Sequence, residues 1–439
     1  MSPLQALDRT VRLVHDFVPV DVLDTTIVDA FRRFRVQCVS DKTNLETHSG
    51  QTALITLVSL IARMGVQVDL DVPEIPLVSP QPPLTGPWLR AGLHDLGGDL
   101  VPGSRIESGA GGRADLLLTI GDTPQPTSHV ASWRLTGTDW AGGLAPSEAI
   151  GGRWTFGWPI GAMVAAVLAT TEVFKAILRT LPLGDAYHAR YLQAIPSVDW
   201  DFSCGPSIPL VADCGSLDII SAGAISQSAL FVLLRLPLGH GHIRVFDDDV
   251  ADISNLNRGM LLRRSDIGQN KAQLMARHAT PTLAITPFPE RFQLETGTPY
   301  LPLSPAVLVG VDDIPSRWEA QRAAAGWLGV GATSHYEASS STHNPGQACA
   351  GCLHPIDDPL ATAPVPTVSF VSFWAGLALA VRFLRHRLGV PYPGAQQHLW
   401  LAPLRMDSPL GACWFPVAPR TDCPVGCRAS RTARARTAA

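Results

Sequence analysis

Apolar residues recur along the chain in two forms. One is a long stretch that is greasy on every face. The other is a short run that ends in an acid. From Gln51 an apolar helical pattern runs to a stop at Gly65 and continues as a strand-like run closed by Asp71. Shifted by 176 residues, from Gln227, the same order returns: apolar helix, Gly241, and a run closed by Asp247. Ala114–Asp122 and Ala306–Asp312 are apolar runs ending in Asp, as a buried parallel strand would be. Greasy stretches from Ile160 and from Phe373 complete the echo and predict one buried helix in each half. The pattern predicts an α/β fold in which one Rossmann-like unit occurs twice. Its boundary falls in the turn-rich stretch 196–209. The expected units are 1–200 and 201–427. The tail 428–439 is basic, has no apolar residue larger than Ala, and is expected to be disordered.

Composition narrows the classes. With 46% hydrophobic residues over 439 positions, the chain supports a sizeable core, which excludes wholesale disorder. A net charge of −4 argues against nucleic acid as a partner. Lysine occurs only at 42, 175 and 271, and every other basic residue is Arg. The opening MSPLQALDRTVRLVHD has no apolar signal region. The greasiest stretch, Pro159–Val173, is short for a membrane span, and Glu172 and Lys175 lie at its end, so a buried helix and no membrane partner are expected. Four of the eight cysteines form two close pairs, which read as metal ligands before disulfides and place the chain in the cytoplasm.

Chemistry concentrates in the second unit. Leu217–Ser221 reads as a strand leading into Ser221-Ala-Gly223-Ala-Ile-Ser226 and a helix. That is where a phosphate-binding turn would lie, with serines in place of the outer two glycines. Asp247-Asp248-Asp249 closes the next strand, where an acid can hold a ribose. Asp252-Ile-Ser-Asn255-Leu-Asn-Arg258 follows, then Lys271, then Asp312-Asp313-Ile-Pro-Ser-Arg317. Basic side chains in this order speak against a nicotinamide dehydrogenase. Cys349-x-x-Cys352 and Cys423-x-x-x-Cys427 have the spacing of a closed, structural zinc site. His354, next to the first pair, reads as a capping or surface residue.

The stretch D-x-D…S-N-L-N-R…K…D-D-x-x-x-R with its two cysteine pairs resembles the ThiF/MoeB superfamily, which adenylates ubiquitin-like proteins and sulfur carriers. The resemblance spans residues 215–427 and departs from the family in the serine-substituted loop and in the wider second knuckle. It implies an ATP site formed by Gly223, Ser226, Asp247, Asp249, Asn255, Arg258, Lys271, Asp312 and Asp313. In it Arg258, Lys271 and Asp312 would be catalytic, Asp312 would hold magnesium, and the four knuckle cysteines would hold zinc. It implies a ubiquitin-like protein as substrate and a conjugating enzyme as acceptor. Relatives often carry a thioester cysteine in the segment after the first knuckle, but residues 353–373 contain none. Cys413 and Cys204 are then the candidates, with Cys413 placed first.

The first unit lacks the glycine turn, the S-N-L-N-R stretch and the cysteine pairs. It resembles the inactive adenylation half of larger ubiquitin-activating enzymes, which forms a pseudo-dimer with the active half and lends it an arginine. Arg32, Arg33 or Arg35 would serve here. The whole architecture is similar to the activating enzymes of bacterial ubiquitin-like (Bil) antiphage conjugation operons. Two other readings remain open. One is an adenylating enzyme for a sulfur-carrier or peptide pathway with no thioester step. The other is a catalytically dead scaffold.

Overall fold

The computed structural model describes residues 2–439 apart from 110–112, 125–129, 185–189, 203–212, 238–239, 296–298, 357–364, 410, 430–431 and 433–439. Two mixed sheets dominate it. The first holds β1 (Arg35–Val39), β2 (Gln67–Asp71), β3 (Arg105–Glu107), β4 (Leu116–Ile120), β5 (Ala131–Gly137), β6 (Ala141–Pro146) and β7 (Val198–Asp201), in the order β3-β2-β1-β4-β5-β6-β7. The second holds β8 (Gly215–Ile220), β9 (Gly241–Phe246), β10 (Leu283–Phe288), β11 (Ala306–Val309), β12 (Trp327–Ser334), β13 (Glu337–His343), β14 (His398–Leu401) and β15 (Ala412–Phe415), in the order β10-β9-β8-β11-β12-β13-β14-β15. In each sheet the first five strands in this order pair in parallel and each later strand pairs antiparallel with its neighbour. Strand for strand the first seven positions match, so the predicted α/β repeat is present with its order intact.

The repeat extends to single side chains. In helix His48–Arg63, Gln51 donates to the Leu45 carbonyl at 3.0 Å and accepts from the Val78 amide at 2.9 Å. In helix Ala224–Leu233, Gln227 donates to the Ala222 carbonyl at 2.8 Å and accepts from the Leu261 amide at 3.4 Å. Each glutamine ties the loop entering its helix to the loop beyond the next strand, satisfying buried backbone groups that would otherwise be orphaned.

The greasy stretches are helices of 19 residues each, Ile160–Leu178 and Ser369–Arg387. The first is apolar and long enough to cross a membrane by composition, yet 94% of its apolar window is buried inside the protein. Glu172 and Lys175 neutralise each other there at 2.5 Å. The two helices pack together, with Phe174 and Phe370 ring centroids 5.2 Å apart. Ser369 Oγ donates to the Leu60 carbonyl at 2.9 Å. One continuous apolar core therefore runs through both sheets.

β7 lies inside the stretch read as a linker and pairs antiparallel with β6, so the first unit runs to Asp201. Its Val198 is buried while its neighbours face outward, a strand pattern too short to stand out among turn residues. The disorder expected of the tail falls almost wholly outside the described residues.

Candidate active site

In an open parallel sheet, ligands settle at the carboxyl ends of the strands where the order reverses. In the second sheet that point lies between β8 and β11. A cavity of about 470 Å³ opens there. Its lining includes Ser221 and Gly223 after β8, Asp247 to Asp249 after β9, and Val311 to Asp313 after β11. Asn255, Arg258 and Lys271 complete it.

The loop after β8 is held from below. Asp247 Oδ2 accepts from the Ala222 amide at 2.6 Å and Oδ1 from the Asp249 amide at 2.8 Å. Asp247 is buried, which lifts its carboxyl above the ordinary range. It thus shapes the turn, while the exposed Asp249 carboxylate meets Lys271 Nζ at 2.8 Å. Ser221 sits at φ +81°, a left-handed conformation costly for any residue but glycine, and its hydroxyl accepts from the Gly223 amide at 3.0 Å. Ser226 does not reach the cavity. Its position in the first turn of the helix aims it at β11, where its Oγ would lie 2.4 Å from a Cβ at Gly310. It packs the helix on the sheet instead of touching a ligand.

The cations are tightly held. Arg258 donates to the Ser254 carbonyl at 2.5 Å and to Asn257 Oδ1 at 2.8 Å. Burial pushes its guanidinium down to about 10, and Asp312 opposes that shift. Arg317 does not enter the cavity but donates to the Val311 carbonyl at 3.0 and 3.1 Å, bracing the turn that presents Asp312. Asp313 caps helix Ile314–Ala323 through the Ser316 amide at 2.9 Å. Of the three lysines only Lys271 lines the cavity; Lys42 pairs with Glu46 on the surface.

Two residues join the site that the sequence did not single out. Arg9, on helix Pro3–Val14, enters from the first unit and reaches the Val365 carbonyl at 3.2 Å. It feels the field of Asp312. Nothing in the helical pattern separates Arg9 from Arg12. The arginines expected in this role do not line the cavity: Arg32 and Arg33 face Asp29, and Arg35 opens β1. The helix carrying Arg9 is held on the active half by Thr10 accepting from Asn257 Nδ2 at 3.0 Å and by Leu13 accepting from Tyr336. Arg291, past β10, is the second newcomer, 3.7 Å from Asp313.

The four knuckle cysteines come together on the far side of helix Ile314–Ala323. Their sulfurs stand 3.9 Å (Cys349–Cys352), 3.4 Å (Cys349–Cys423) and 3.7 Å (Cys352–Cys427) apart. Zinc bonded tetrahedrally at about 2.3 Å places its sulfurs about 3.8 Å apart, so the cluster has the dimensions of a zinc site. His354 is not among its ligands. Such an ion would pin the C-terminal strands to the segment before residue 353 and leave no open position for chemistry. Cys413 lies on β15, four strand spacings or about 19 Å from β11. Among the described residues no cysteine lines the cavity. Cys204 lies outside the described residues.

Residues 218–418 match the ThiF family. Residues 35–190 match the BilD N-terminal domain. Curated relatives include the uncharacterized protein y4jF of Sinorhizobium fredii, 23% identical over 55% of this chain and 47% of that protein. The NEDD8-activating enzyme E1 catalytic subunit of Dictyostelium discoideum is 35% identical over 33% of this chain and 31% of that protein. The chain spans less than half the length of these relatives. Among solved structures, E. coli MccB with MccA-N7isoASN is similar over 48% of this chain and 66% of that chain, at 16% identity and a TM-score of 0.40. The ThiF match begins inside β8 and ends just past β15, so it covers the sheet that bears the cavity.

Proposed function

We propose that the protein is an ATP-dependent activating enzyme for a ubiquitin-like protein of a bacterial conjugation system. The observation that carries this is the convergence of Arg9, Arg258 and Lys271 with Asp312 on one cavity at the switch point of a ThiF-family sheet. ATP would lie with its ribose by Asp247 and Asp249 and its α-phosphate over the Ser221–Gly223 turn. Its β- and γ-phosphates would meet Arg9, Asn255, Arg258 and Lys271. The C-terminal carboxylate of the carrier attacks the α-phosphorus. A carboxylate oxygen bonds to phosphorus, the bond to the bridging oxygen breaks, and pyrophosphate leaves with the electron pair. Negative charge grows on the α-phosphate and on pyrophosphate. Fixed guanidinium and ammonium groups in a partly dry site stabilise that charge without having to reorganise. Exposed Asp312, with Asp313, fits a magnesium ion, which takes one or two carboxylates and phosphate oxygens and would further neutralise the phosphates. The first unit would be the inactive half of a pseudo-dimer.

A second reading is favoured by the position of Cys413: adenylation without a thioester, as in a peptide or sulfur-carrier pathway. Carrier incubated with ATP and wild type, then run without reductant, separates the two. A reductant-sensitive adduct that Cys413→Ala abolishes supports thioester transfer.

ATP–pyrophosphate exchange tests the main proposal. Exchange is expected only with the correct carrier, and Asp312→Ala should reduce it at least about a thousandfold, or about 4 kcal/mol. A folded, zinc-loaded protein that neither binds ATP nor exchanges with any carrier overturns it and promotes the scaffold reading.

A further inference from the structure

Asn255 and Arg258 sit on a loop with little secondary structure of its own, residues 253–262. Loops of this kind leave carbonyls unsatisfied when buried. Three of them converge on one side chain from the other unit. Arg63, the last residue of helix His48–Arg63, donates from Nη1 to the Leu256 carbonyl at 2.8 Å. From Nη2 it donates to the carbonyls of Met260 at 3.0 Å and Leu262 at 2.7 Å. It has 0% exposure. Among the described residues no carboxylate forms an ion pair with it. Its charge is met by those carbonyl dipoles and by the negative end of its own helix. The acceptors bracket Arg258 on both sides in sequence.

The second unit returns the grip. Arg235, just past helix Ala224–Leu233, donates to the Pro82 carbonyl at 2.5 Å, in the loop after β2. Arg263 reaches the Pro83 carbonyl at 2.8 Å. Each unit thus braces the other's loop after its second strand. Only in the direction from Arg63 does the braced loop carry cavity-lining cations.

We propose that Arg63 is a positioning residue for the nucleotide: the first unit uses its fork of donors to fix the loop that presents Asn255 and Arg258. The proposal rests on the ATP-site reading above. A planar guanidinium spans three carbonyls in a fixed geometry that an ammonium cannot reproduce. The first unit, whose own switch point is filled by Asn44 and Trp154 among the described residues, then acts on the neighbouring one through a single buried side chain.

Equilibrium dialysis with labelled ATP and magnesium, without any carrier, provides the test. Arg63→Met is expected to weaken ATP binding at least about tenfold, or about 1.4 kcal/mol. Arg63→Lys, which keeps the charge and is the variant to use should Arg63→Met not fold, is expected to weaken it several-fold. Zinc content should not change in either. A general loss of structure and a displaced loop differ in a double-mutant cycle with Arg258→Ala. If Arg63 acts through that loop, Arg63→Lys adds little once Arg258 is gone. Wild-type affinity in Arg63→Lys, or effects that multiply with Arg258→Ala, would overturn the proposal. Wild type that does not bind ATP overturns the nucleotide reading and the proposal together. Binding that survives unaltered in the Arg63 variants overturns only the proposal.

Discussion

The two switch points of the molecule lie at equivalent places, yet one is hollow and the other filled. Between β8 and β11 lies the 470 Å³ cavity. Between β1 and β4 the same corner is closed by Asn44 and Trp154. Asn44 Nδ2 donates to Asp122 Oδ1 at 2.8 Å, Asp41 Oδ1 at 3.1 Å and Thr123 Oγ1 at 3.2 Å, and its Oδ1 accepts from the Trp154 amide at 3.2 Å. Trp154 is fully buried. Gly121, at φ +65°, leaves room for both: a Cβ there would meet Asn44 Oδ1 at 2.3 Å and Trp154 Cδ1 at 2.8 Å. The acid at the strand end survives in both units. In the first, Asp122 serves an amide side chain. In the second, Asp312 faces Arg9 and Arg258. The same scaffold therefore holds a site or a plug according to what the loops deliver, while the glutamine ties beneath them are alike.

The largest effect should come from the plug. Trp154→Ala is expected to cost about 4 kcal/mol of stability by leaving a cavity, read as a lowered denaturation midpoint, with ATP affinity unchanged. A second ATP bound per chain in that variant would show the plug alone separates the clefts and would break the contrast. Arg9→Ala comes next. Exchange should fall about a hundredfold, or 2.7 kcal/mol, while Arg32→Ala, Arg33→Ala and Arg35→Ala together leave it unaltered. Asp122→Ala should cost about 1 kcal/mol of stability by removing the shortest of the three acceptors of the buried Asn44 amide, which keeps Asp41 and Thr123, with exchange unaffected. Loss of exchange would mean the first cleft still takes part in the chemistry.

The remaining effect is pH-dependent. His278, behind Lys271, is pushed down to about 4 by burial, with Arg277 adding to the shift. The unfolded chain, with an ordinary histidine, takes up the proton first. Stability should therefore fall as pH drops from about 6.5 towards 4, on the order of 1 kcal/mol per pH unit. His278→Gln should make the slope shallower in denaturant titrations without abolishing it, because burial also holds His343 and His398 down.

Much of this was legible in the sequence where a residue's role depends on its neighbours in the chain. Apolar runs ending in Asp71, Asp122, Asp247 and Asp312 mark strand ends because buried parallel strands are apolar throughout. The cysteine pairs mark their cluster because two short knuckles need little besides a fold to meet. What was hidden depends on contacts between the units. Arg9 lies more than 240 residues before Arg258 on an ordinary amphipathic helix, and only packing turns it inward. Ser226 looked like a ligand contact because it replaces a glycine of the loop motif, but that position faces the sheet. Arg63 ends an apolar helix where a basic residue is expected for the helix dipole alone, so nothing local announces its three distant acceptors.

The continuous core has a consequence for sequence drift. A unit whose switch point is filled would ordinarily be free to diverge there. Here the helix Ile160–Leu178 that fills the first unit also walls the second, and Phe174 touches Phe370 across the join. Substitutions that keep the plug's volume around Trp154 concern the first unit alone, whereas those along the shared helix disturb both units. Lineages of such chains should therefore show a first unit that varies at its plugged cleft only where packed volume is kept, and hardly at all on the face turned towards the second unit.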